Sequence, residues 1–236
     1  ARQSVVKLGD PSYLELNYYA FVPAFLAIVP DPENLLLVGL GGGTLARFFR
    51  KHLPETTIDA VEIDPVVVQV ARDYFGLVED DRLRAHVADG RAFIEQRQDA
   101  YDVILLDGFG AEHTPSRLTT IEFLASVKAC LTGQGVAAAN IWGRSGNPLF
   151  DAMLKTYAAV FPGLHIIDTG REDNFILICS PARDGITPER FAANMEEIQI
   201  KRRLPMNLAR MLPDAFQDLA SFNIENIAPL SDRDAQ

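Results

Sequence analysis

The sequence predicts an α/β protein: a mostly parallel sheet of seven strands, covered by helices and ending in an antiparallel hairpin. Three observations lead there. Strand-like and helix-like stretches alternate five times between residues 35 and 142, as right-handed β-α-β crossovers do. Four glycines fall within five positions (Gly39, Gly41, Gly42, Gly43) where the first strand turns into the first helix. Late in the chain, two strand-like runs are separated by a six-residue turn, 169–174, too short for a crossover helix.

In order, residues 35–40 form a continuous apolar run, as a strand buried on both faces requires. A helix is expected over 44–53, stopped by Pro54, then a strand over 57–63 and a helix over 65–74. A third strand covers 83–88, with a helix over 91–97, and a fourth strand covers 101–106. Residues 119–131 read as a helix, Gly133-Gln134-Gly135 as a turn and 136–142 as the fifth strand. After a helix over 148–161 come the hairpin strands, 164–168 and 175–179. The expected divisions are a short N-terminal extension over 1–33, a ligand-binding α/β domain over 34–180 and a helical C-terminal extension, without a clear strand, over 181–236.

Composition narrows the chemistry. The 236 residues suffice for one well-buried core, with 48% apolar and 23% charged residues. A net charge of -10 repels phosphate backbones and anionic membranes, so no nucleic-acid or membrane partner is expected and a small cationic substrate is compatible. The apolar stretch 20–29 is too short to span a bilayer and contains Pro23. No signal-peptide pattern opens the chain, although its first residue is Ala, as in a trimmed start. Cys130 and Cys179 read as buried thiols of a reducing, cytoplasmic protein. The four histidines show no metal-ligand spacing, so no metal is expected.

Glycines after a first strand permit a sharp turn and close approach of a ligand. Gly41-x-Gly43-x-x-Ala46 also satisfies the looser dinucleotide fingerprint, but counted from Gly39 its last glycine would be Thr44. The second strand ends in Glu62, placed to accept both hydroxyls of a ribose. Asp64, before Pro65 and a helix, suits an N-cap. Asp89, before Gly90, suits either a helix cap or an acceptor for the exocyclic amine of adenine. Asp107 ends the fourth strand, so three carboxylates share the rim where open α/β sheets bind ligands.

With these residues the chain resembles the spermidine synthase (polyamine aminopropyltransferase) family, within the Rossmann-like class I methyltransferase fold. The resemblance rests on the glycine loop, Val61-Glu62-Ile63-Asp64, Ala88-Asp89-Gly90, the run ending in Asp107, and Leu118-Thr119-Thr120 leading to Glu122-Phe123. It implies S-adenosylmethionine or its decarboxylated form as cofactor. Gly39, Gly41, Gly43, Glu62, Asp89, Gly90 and Asp107 would form the cofactor site, and Asp107 would also be catalytic. The family's Asp-Ser-Ser-Asp segment reads Asp107-Gly108-Phe109-Gly110 here, so the second Asp, its base on the attacking amine, is replaced. Thr44 stands near the family's glycine-loop Asp, and Tyr13-Leu14-Glu15 stands for its Tyr-Gln-Glu. The family's N-terminal strand domain is almost wholly absent. Glu112 or His113 could replace the lost base; solvated loop positions are the plainer reading.

Three functions are therefore expected to compete: aminopropyl transfer to an unusual acceptor, methyl transfer, and adenosyl-ligand binding without catalysis. Tyr13, Tyr18 and Tyr19 read as a pocket lid or as core packing, and Trp142 as an acceptor-side or interface residue. Arg144 and the Lys201-Arg202-Arg203 run read as solvated. The apolar positions of the last fifty residues (Phe191 to Phe222) would cover the sheet or form a homodimer contact.

Overall fold

Continuous apolar strands require cover on both faces, and the structure supplies it. This computed structural model describes residues 4–108, 116–170, 174–183 and 185–234. The strands are β1 (Asn34–Val38), β2 (Thr57–Glu62), β3 (Leu83–Val87), β4 (Tyr101–Leu106), β5 (Leu131–Trp142), β6 (Gly163–Asp168), β7 (Asn174–Ser180) and β8 (Phe216–Gln217). The helices are α1 (Thr44–His52), α2 (Pro65–Asp73), α3 (Gly90–Glu95), α4 (Ile121–Cys130), α5 (Phe150–Val160), α6 (Pro188–Arg202) and α7 (Leu208–Ala215). The sheet order is β3-β2-β1-β4-β5-β7-β6-β8. Strands β1 to β5 pair in parallel, and β7 runs antiparallel to β5 and β6.

Side-chain alternation divides each central strand between two cores. Leu35, Leu37, Val103, Leu105, Val136 and Ala138 face one layer, which includes buried residues of α1, α2, α6 and α7. Leu36, Val38, Ile104, Leu106, Ala137 and Ala139 face the layer of α3, α4 and α5. The N-terminal stretch joins the first layer: every residue of the 3-10 helix Val22–Ala27 is buried. Cys130 and Cys179 are buried.

Three sequence expectations change. The sheet has an eighth strand, because Phe216 and Gln217 pair antiparallel with Ile167 and Ile166. Two residues carry no period to read; Phe216 is held by edge-on packing against the Phe191 ring. Strand β5 begins at Leu131, and the expected turn lies inside it as a register shift between Tyr101 and Val103 on β4. Of the basic groups, Arg144, Lys201 and Arg203 are exposed as expected, the first two while ion-paired, but Arg202 is covered. Arg144 pairs with Asp151 at 2.8 Å and donates to the Phe222 carbonyl. Lys201 and Arg202 both bind Asp31, leaving the Arg202 side chain only 14% exposed. The C-terminal positions Phe191, Met195, Ile198, Leu208 and Phe222 are buried within the chain's own two cores. Among the described residues no helix is long and apolar enough to cross a membrane.

Candidate functional site

The strand order reverses between β1 and β4, which opens a crevice at their carboxyl ends. Gly39 and Asp107 each follow a paired strand end, Val38 opposite Leu106. Gly39 has φ +100°, and a Cβ there would lie 2.5 Å from the Asp107 main-chain oxygen. Only glycine permits this approach of the two strand ends.

Glu62 reaches across to the glycine loop. Its Oε2 accepts from the Leu40 amide at 3.2 Å and the Gly41 amide at 3.4 Å, and its Oε1 from the Asp64 amide at 3.2 Å. Three main-chain donors thus fix a half-buried carboxylate at the rim. The next residue, Ile63, is 67% exposed and offers an apolar surface beside it.

The loop's other donors are also engaged. The Gly42 amide donates to Ser4 Oγ at 2.8 Å, and Thr44 Oγ1 donates to the Val5 carbonyl at 3.1 Å. The N-terminal arm therefore lies across the loop, and Ser4 Oγ fills the space a Cβ on Gly41 would need, at 2.6 Å. Gly43 caps α1 and faces Leu77. Sequence reading did not anticipate Ser4 or Val5, since nothing in residues 4–5 signals a contact nearly forty positions away.

Asp64 caps α2 through the Val66 amide at 2.8 Å. Asp89 is exposed and caps α3, its Oδ1 accepting from Ala92 at 2.9 Å. Gly90 packs against Val38, whose Cγ1 would be 2.6 Å from an added Cβ.

Asp107 lies in a polar cluster with Asn140 and Tyr18. Its Oδ1 accepts from Asn140 Nδ2 at 2.9 Å, and its Oδ2 accepts from the Tyr18 hydroxyl at 3.3 Å. Asn140 is held in turn by Asn174 Nδ2 at 2.8 Å. Burial pushes the Asp107 carboxyl up to about 6, against the opposing hydrogen bonds from Asn140 and Tyr18. Asn140 was legible in principle, as the lone polar residue of the run 136–142. Trp142, two residues further on the same strand, is 36% exposed. The positions Phe109, Gly110, Glu112 and His113 lie outside the described residues. Among the described residues no group of three or more His, Cys, Asp or Glu side chains is arranged to hold a metal ion.

Sheet order, glycine loop and rim carboxylates together define the Rossmann-like fold of class I methyltransferases. The chain belongs to the spermine/spermidine synthase domain family, which matches residues 20–150, more than half of its length. It is 34% identical over 220 residues, 85% of the chain, to the eEF1A lysine and N-terminal methyltransferase of Homo sapiens, and spans 31% of that protein's length. It is 40% identical over 147 residues to a polyamine aminopropyltransferase of Vibrio vulnificus, covering 61% of this chain and 48% of the relative. The crystal structure of human methyltransferase-like protein 13 in complex with SAH superposes with a TM-score of 0.71 at 32% identity, covering 81% of this chain and 94% of that one. The family thus joins aminopropyltransferases and methyltransferases, both alkyl transferases.

Proposed function

We propose that the chain transfers a methyl group from S-adenosylmethionine to an amine acceptor, with Asp107 as the carboxylate that takes the amine's proton. The observation that carries this reading is the position of Asp107. It follows β4 at the switch point, half-buried, with both oxygens hydrogen-bonded and its carboxyl raised to about 6. A base of that strength is mostly ionised at neutral pH and accepts a proton more readily than an ordinary carboxylate.

Each residue has a part. Glu62, fixed by three amides, is placed to accept the ribose hydroxyls. Ile63 offers an apolar surface to the adenine, and the Asp89 carboxylate an acceptor to its amine. Gly39, Gly41, Gly43 and Gly90 bring the loop and α3 close to the rim. When bound, the cofactor supplies a sulfonium-activated carbon, so that positioning and electrostatics carry most of the catalysis. The similarity to the methyltransferase, which extends over 85% of this chain, supports methyl transfer. Its name adds protein amines to the candidate acceptors, beside small cationic ones.

Aminopropyl transfer from the decarboxylated cofactor is the second reading, favoured by the 40% identity to the aminopropyltransferase. Against it, Thr44 offers the loop a hydroxyl committed to Val5, not a carboxylate for a second amino group.

Calorimetry with S-adenosylmethionine, its decarboxylated form and methylthioadenosine tests the choice, followed by transfer assays on free amines and peptide N-termini. Preference for the intact cofactor, with methyl transfer lost in Asp107→Asn, is the expected result. Preference for the decarboxylated form moves the assignment to aminopropyl transfer. Binding without transfer to any amine leaves only a ligand-binding role, and no adenosyl binding ends the proposal.

A further inference from the structure

We infer that Tyr18 and Tyr19 are positioning residues that set the proton affinity of Asp107 and join it to the donor side of the crevice. The inference rests on the reading of Asp107 as the base. Both tyrosines lie on the 3-10 helix Asn17–Ala20 and are buried, with ring centroids 4.5 Å apart. Tyr18 donates to Asp107 Oδ2. The Tyr19 hydroxyl lies beside the Tyr18, Ser4 and Thr44 hydroxyls, which act to lower its pKa against the larger effect of burial. Ser4 accepts from the Gly42 amide. Hydrogen bonds therefore run from Tyr18 to Asp107 and on through Asn140 to Asn174, and the Tyr19 hydroxyl lies between this line and Ser4 at the glycine loop.

Packing alone would be satisfied by phenylalanine at both positions. Here two consecutive buried tyrosines carry their hydroxyls beside one polar cluster, and the Tyr18 hydroxyl donates to the carboxylate. Burial pushes the Tyr18 phenol far up and the Tyr19 phenol up to about 12, so both remain protonated through the neutral range. Among the described residues, Tyr18 and Tyr19 are the titratable groups that act on Asp107, while β5 contributes the neutral Asn140. A donated hydrogen bond favours the ionised carboxylate, so removing the Tyr18 hydroxyl makes Asp107 a weaker acid that holds its proton to higher pH.

The test is the pH profile of kcat/KM for Tyr18→Phe and Tyr19→Phe, with folding checked by circular dichroism. In Tyr18→Phe the acidic limb moves up by about half a unit to one unit, the scale of one hydrogen bond. Tyr19→Phe shifts the limb less and raises the KM for the donor. Titration of the Asp107 carboxyl by NMR in Tyr18→Phe gives the same answer without turnover. A limb and a carboxyl titration that coincide with wild type overturn the inference. Asp107→Asn separates the two ideas: if it keeps the acidic limb, the base assignment itself fails. If it loses transfer while Tyr18→Phe leaves the Asp107 titration unmoved, only the role of the tyrosines fails.

Discussion

Gly39 and Asp107 meet at the switch point with no space for a side chain: a Cβ on Gly39 would lie 2.5 Å from the Asp107 carbonyl oxygen and 2.7 Å from its carbonyl carbon. The clash is with main chain, which cannot swing aside, and φ at Gly39 is +100°. Gly39→Ala is expected to destabilise the fold by about 2–3 kcal/mol, measured by denaturant unfolding. It should also displace Asp107 and reduce transfer more than donor binding. An alanine variant as stable as wild type would show that the two strand ends are not held this close.

Glu62 offers a separate measurement. Its carboxylate is already oriented by Leu40, Gly41 and Asp64, so under the proposed function a bound ribose would meet a prepared acceptor. Glu62→Ala is expected to weaken every adenosyl ligand by about 1.5–3 kcal/mol, the range for hydrogen bonds to a charged group. Calorimetry with S-adenosylhomocysteine checks this, and unchanged affinity removes Glu62 from the site.

Stability should also report the state of Asp107. Its folded carboxyl is raised from 3.8 to about 6, so the folded state holds the proton more tightly than the unfolded chain. That preference is fully present below about pH 4 and is lost as pH rises through 6. Asp107→Asn is therefore expected to gain stability relative to wild type as pH rises from 4 to 7, read as a growing difference in Tm. A difference independent of pH would place the carboxyl outside the desolvated cluster.

The parts of this molecule that were legible share one cause. Residues 35–38 and 103–106 are apolar without interruption because both faces of each strand are covered, and that pattern survives in the one-dimensional sequence. The rim positions of Glu62, Asp89 and Asp107 were legible because they fall at or just after strand ends. The partners of Asp107 were not: Tyr18 reaches it across 89 positions, and no local period encodes that pairing. The same holds for β8, whose two residues pair with β6 because α6 and α7 deliver them there.

A second long-range clasp leads to a prediction of opposite sign. Arg91, whose side chain is 12% exposed, holds Asp232 through two 2.7 Å hydrogen bonds and also donates to the Arg117 carbonyl. Thr120 donates to Asp232 as well, at 2.7 Å. These hydrogen bonds from Arg91 and Thr120 lower the Asp232 carboxyl to about 2. A depressed folded value stabilises the fold above the unfolded value near 3.8, and the benefit is lost as pH falls through 2. Asp232→Asn is expected to cost about 1 kcal/mol at neutral pH, since the acid is partly exposed. Chemical unfolding at pH 7 and pH 2 checks it: equal losses at both would rule out the charge as the cause.

Tyr157 sets the opposite problem to Tyr18. Among the described residues its hydroxyl, buried on α5, has no hydrogen-bond partner, and burial pushes its phenol well above 10. The ring belongs to the core of Leu154, Phe161 and Cys179, where an unpaired hydroxyl loses its hydration and gains nothing in return. Tyr157→Phe keeps the ring and removes the stranded group, so it should be neutral or raise stability by up to about 1 kcal/mol. Tyr18→Phe, by contrast, removes a hydroxyl that donates to a carboxylate and should not stabilise the protein at neutral pH. Measuring both by thermal unfolding distinguishes a tyrosine kept for its ring from one whose hydroxyl is used. A loss of 2 kcal/mol or more at Tyr157 would mean that its hydroxyl has a partner after all.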